Sequence, residues 1–155
     1  MRTLAVAGLL SFLQFGAQAQ PVLVGQWKSD AVRTIQFNKE RARLDDKKLE
    51  FLSQLMGKMT VTFTEDLVAY DMPDGNMRFG GGQTHWFQGF KETHPYSQIG
   101  HTRNTVAVRS TTPVSGNDSI TVYNFEDANT MWVYLGGADN GFPEEHLREY
   151  FIRMR

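Results

Sequence analysis

The feature that most constrains this chain is a strict two-residue alternation. Met59-Thr60-Val61-Thr62-Phe63-Thr64 switches between an apolar side chain and threonine at every step. Successive side chains of an extended chain point to opposite faces, so the segment predicts a strand with one apolar face and one wet face. Glu65-Asp66 offers a turn, and Leu67-Val68-Ala69-Tyr70-Asp71-Met72 predicts the returning half of a hairpin. Pro73-Asp74-Gly75-Asn76 then stops it.

The same pattern recurs along the chain. Strands are predicted at 25–29 (with 34–37 as a continuation), 96–101, 105–111, 119–125, 130–135 and 149–154, parted by loops at 113–118, 126–129 and 136–141. About eight short strands at close spacing predict a mainly β chain, either an up-and-down antiparallel barrel or a curled meander. Residues 39–57 read differently. Leu44, Phe51, Leu52, Leu55 and Met56 recur at helical spacing, Asn38 is a candidate N-cap and Gly57 a candidate stop. One amphipathic helix is therefore expected between the first and second strands. Several strands are apolar on both faces, Ile120 and Val122 against Tyr123 and Phe125 for example. This predicts cover on the outside of the sheet: the helix, the 73–95 connection, or a second subunit.

The first nineteen residues belong to a different grammar. Arg2 precedes an apolar run from Leu4 to Phe15, and Ala17-Gln18-Ala19 follows it. A positive start, an apolar stretch and an A-x-A site predict a secretory signal over 1–19, cleaved before Gln20. The run is shorter than the roughly 20 residues of a spanning helix, so no stable membrane insertion is expected after cleavage. The expected address is the periplasm or the medium of a bacterium. Residues 20–155 then form a single domain. With Arg2 removed, 15 of the 16 Lys+Arg remain against 17 Asp+Glu, a balance that argues against nucleic acid as a partner. There is no cysteine, which excludes disulfides, thiol nucleophiles and thiolate metal sites.

Catalytic signatures are missing. No G-x-S-x-G elbow, P-loop or H-E-x-x-H helix occurs, and Gly80-Gly81-Gly82 opens no dinucleotide fingerprint. His85, His94 and His101 follow spacings of nine and seven, which match no standard ligand set, so neither metal nor cofactor is expected. The paired carboxylates at 45–46, 65–66, 126–127 and 144–145 read as solvated surface, because adjacent side chains diverge. The stretch 77–96, MRFGGGQTHWFQGFKETHPY, is long for a connection and rich in aromatics. It reads either as a mobile pocket-bordering loop or as a further strand over 83–91. If it borders a pocket, Phe79, His85, Trp86 and Tyr96 are the candidate ligand-binding residues.

Gly25-Gln26-Trp27 opens the first strand, and Arg153, or else Arg148, lies in the last. This pairing resembles the lipocalin or calycin superfamily, and the helix after the first strand is similar to small exported bacterial lipocalin-like domains. The resemblance implies that Trp27 plugs one end of a barrel with Arg153 packed across it. The alternative for Trp27 is an ordinary core aromatic. The functional expectation is an exported, non-enzymatic binding domain holding a small apolar ligand in or at the mouth of the barrel. The alternatives are a protein–protein interaction or inhibitor domain, as a homodimer or with an envelope partner, and an enzyme with a barrel-interior site.

Overall fold

The computed structural model describes residues 21–79, 82–113, 115–135 and 146–155. The expected signal segment lies outside the described residues. The elements in chain order are β1 (Gly25–Ser29), α1 (Ala31–Arg41), α2 (Asp46–Leu55), β2 (Thr60–Phe63), β3 (Leu67–Met72), β4 (Gly75–Phe79), β5 (Gln83–Phe87), β6 (Phe90–His101), β7 (Thr105–Thr111), β8 (Asp118–Asp127), β9 (Thr130–Tyr134) and β10 (Arg148–Arg153). Eight of the strands close into a barrel in the order β1-β10-β9-β8-β7-β6-β3-β2, and every pairing is antiparallel. The order follows the sequence except where β4 and β5 leave the wall as a separate hairpin. Closure removes the unpaired edges that an open sheet would expose.

The alternation seen in the sequence sets the register. Val61 and Phe63 of β2 are buried while Thr60 and Thr62 face outward, and β3 buries Val68, Tyr70 and Met72. The 77–96 stretch is strand rather than loop: it forms β4, β5 and the first half of β6.

The helical segment differs from its expected form in two ways. It is two helices, and the first begins at Ala31, so 34–37 is helix and not strand. The caps are Asp30 and Asp45, whose carboxylates accept the amides of Arg33 and Lys48 at 3.1 and 2.8 Å. Gly57, at φ +82, follows the C-cap Met56 of α2, the expected stop. Asn38 is not a cap but a buried residue inside α1. Its amide donates to the Arg148 carbonyl at 2.8 Å and its oxygen accepts the Arg148 amide at 3.0 Å. Thr34 similarly accepts the amide of Tyr150 at 2.9 Å. Strand β1 ends at Ser29, opposite Phe151, so residues 148–150 of β10 lie beyond its pairing, and α1 supplies side-chain partners where a strand would have supplied backbone ones.

Outer cover comes from α1, which lies mostly before the 39–57 helix expected to supply it. Phe37 stacks beside Tyr150, and the Arg148 guanidinium lies between Phe37 and Trp132, 4.4 and 3.7 Å from the ring centroids. Arg33 pairs with Glu126 and lies over Tyr150. Helix α2 buries none of its own residues and packs on α1 and β4. No described helix is long and apolar enough to cross a membrane.

Candidate functional site

The barrel has two unlike ends. One carries the short turns at 64–66, 102–104 and 128–129; the other carries the helices and the β4–β5 hairpin. At the turn end, Trp27 is fully buried, and its indole donates to the Leu23 carbonyl at 2.7 Å. The Arg153 guanidinium sits over the Trp27 ring at 4.1 Å. It also donates to the carbonyls of Val24 at 2.7 Å, Ala128 at 3.1 Å and Val22. Gly25 beside it holds φ +133, which favours glycine, and a Cβ there would meet the movable Arg153 Nη1 at 2.5 Å. Arg148, the second choice from the sequence, belongs instead to the outer aromatic layer.

Above this end the lumen is crossed by rings. Phe63 contacts Tyr96 and Tyr123 edge-on at 5.4 and 5.3 Å. Strands β2 and β8 stand opposite each other in the barrel order, so the Phe63–Tyr123 contact spans its width. Tyr123 shares a side-chain hydrogen bond with Tyr70, and burial above all raises its pKa well above 10.

Beyond this crossing a few polar side chains join the apolar inner face. Glu149 of β10 is 3% exposed and faces the lumen between Ser29 and Val133. The Ser29 hydroxyl donates to its carboxylate at 2.6 Å and accepts the Gly57 amide at 2.8 Å, joining the lumen to the end of α2. Burial pushes the Glu149 carboxyl up from 4.5 to about 7, with the Ser29 bond pulling the other way. On β6, Glu92 pairs across from Tyr70 and His94 from Val68, which places both on the inner face. Their side chains meet at 2.9 Å and keep 31% and 21% of their area open to solvent. The β6 wall is therefore wet where the facing walls are dry. Among the described residues, no group of three or more His, Asp or Glu is placed to hold a metal ion.

The four candidates from the sequence do not converge. Phe79 lies in β4 opposite Gln83, and its side chain is outside the described residues. His85 and Trp86 are neighbours on β5 and so point to opposite faces; both are exposed, Trp86 by 65%. Tyr96 is in the barrel wall near the 64–66 turn, where its hydroxyl donates to the Thr64 carbonyl at 2.8 Å. Its pKa is raised by partial burial and by Asp66 and Glu65. The luminal groups that do come together, Ser29, Tyr70, Glu92, His94, Tyr123 and Glu149, were not singled out from the sequence. The signal for two of them, Glu92 and His94, was the alternation Phe90, Glu92, His94, Tyr96. Comparison with protein-family models, curated proteins and solved structures gave no significant match.

Proposed function

We propose that this chain is an exported, lipocalin-like binding domain that takes a small apolar ligand at the helical end of its barrel. Trp27 and Arg153 serve as the plug at the other end. The observation that carries this reading is the change along the lumen. Packed rings fill the turn end, whereas inward-facing His94, in the same row as Phe63, and Glu92, one inward position nearer the helices, stay reachable by water. Phe90 and Met59, partly buried against the core, supply apolar contact there. A pocket of mostly apolar wall with few polar groups is the usual form of a small-molecule site.

Native mass spectrometry and organic extraction of the purified protein test the reading. A retained small apolar molecule is expected. A ligand-free protein that also fails to take up apolar probes overturns it. Export is tested by cell fractionation, with the 1–19 segment absent from the mature chain.

A second reading, contact with another copy or an envelope protein, rests on outward Ile120, Val122 and Tyr134, which are 56%, 42% and 46% exposed. A clean monomer at high concentration in light scattering counts against the homodimer.

A further inference from the structure

We propose that the ligand of this barrel is a small lipophilic amine, held with its ammonium end between Glu149 and Glu92 and its apolar body toward Phe90. The inference rests on the binding reading above and names the chemistry of its ligand.

The argument is one of charge placement. The inner face of the barrel carries two carboxyls, Glu92 and Glu149, and the phenols of Tyr70, Tyr96 and Tyr123. The strand cations are turned outward or spent. Lys28 donates to the Lys58 carbonyl at 2.6 Å, Lys91 pairs with Asp71 at 3.2 Å, and Arg109 lies 4.0 Å from Asp118. Arg148, next to Glu149 in sequence, sits on the opposite face of β10 among Phe37, Trp132 and Tyr134. Arg153 points inward, but at the turn end, committed to Trp27 and three carbonyls. His94 already meets Glu92.

Glu149 is thus nine-tenths buried with a serine hydroxyl as its described partner and, among the described residues, no ion pair to a cation. Buried carboxyls are ordinarily paired, or else they neutralise themselves by holding a proton, and this one is held up to about 7. An ammonium group entering the lumen supplies the missing opposite charge. The carboxyl then ionises and its proton leaves to solvent. Two walls contribute. Glu92 is the cross-strand partner of Tyr70, Tyr70 bonds Tyr123, and Glu149 acts on Tyr123 from the β10 side. The aromatic faces of this set favour a cation over a neutral group. A fatty carboxylate meets the reverse field: the buried Glu149 carboxyl, and a Glu92 whose one described basic neighbour, His94, is already engaged with it.

The test is calorimetric titration of the purified chain with octylamine, 1-octanol and octanoate at pH 7. Octylamine is expected to bind at least about tenfold tighter than octanol, with octanoate weakest. Amine binding should release protons, seen as heat that varies with the ionisation enthalpy of the buffer, whereas octanol should not. Glu149→Gln keeps an acceptor for Ser29 and should bring octylamine to within about threefold of octanol. Glu92→Gln, at a more exposed position, should narrow the gap in part. Octanol binding as tightly as octylamine, or a gap untouched by both variants, overturns the amine inference and leaves the binding reading standing. Failure of all three ligands to bind overturns both.

Discussion

Asn38 of α1 and Arg148 of β10 are joined like paired strands. One carboxamide satisfies both the carbonyl and the amide of a single backbone residue, at 2.8 and 3.0 Å. Asn38 is 1% exposed, so water cannot take its place. Orphaning a buried backbone group costs about 1–3 kcal/mol. Asn38→Ala should therefore lower unfolding free energy by about 2–4 kcal/mol in denaturant titration. Asn38→Asp keeps the acceptor but sets a second carboxylate oxygen against the Arg148 carbonyl in a buried site, and at neutral pH should destabilise at least as much as alanine.

Gln54 of α2 makes the same double contact with Arg78 of β4, donating to its carbonyl at 2.8 Å and accepting its amide. Here the site is exposed, so water competes. Gln54→Ala should cost no more than about 1 kcal/mol. Its expected signature is local: faster hydrogen exchange across β4 and β5, with the barrel amides unchanged. Uniform acceleration in every strand would show that the hairpin is not docked through this residue.

These two amides also explain what was and was not legible in the sequence. The barrel strands announced themselves because one face is apolar and the other threonine or charge, as in Thr60 to Phe63. Helix α1 did not, because the face it buries against β10 is Thr34 and Asn38, polar residues that periodicity reads as exposed, as strand, or as a cap. The Glu92–His94 pair was hidden for a related reason. Phe90, Glu92, His94 and Tyr96 alternate with Lys91, Thr93 and Pro95, but both faces of β6 are polar enough to blur the contrast. Trp86 attracted attention by its size and is instead on the surface of a hairpin outside the barrel. Where one wall of an apolar lumen is polar, as on β6, inside and outside cannot be told apart by hydropathy.

Gly25, Trp27 and Arg153 make a coupled set at the turn end. Gly25 holds φ +133, and a Cβ there would lie 2.5 Å from Arg153 Nη1. Gly25→Ala should destabilise by about 1–3 kcal/mol from backbone strain, with the arginine clash in addition. Arg153→Ala removes the cation over Trp27 and frees three carbonyls. The double variant should be less destabilised than the sum of the two singles, because the clash is gone while the backbone strain stays. Strict additivity in a double-mutant cycle would show that glycine is needed for its backbone alone.

Glu149 gives the fold a pH dependence of unusual sign. Its carboxyl is raised from 4.5 to about 7 in the folded chain, so between these values the folded state binds more protons than the unfolded one. The contribution of the neutral carboxyl is complete below about pH 4.5 and is lost as pH rises toward 7, after which it is flat. A shift of this size corresponds to about 3 kcal/mol across the window. Most surface-paired carboxylates act in the opposite direction, gaining stability as pH rises. Glu149→Gln removes the titration and keeps an acceptor for Ser29. Denaturant unfolding at pH 5 and pH 8 should show the wild-type chain losing more stability than the variant between the two, by up to about 3 kcal/mol. Equal losses would mean that Glu149 is ionised in the fold at both pH values, and that water reaches it past Ser29 and Gly57.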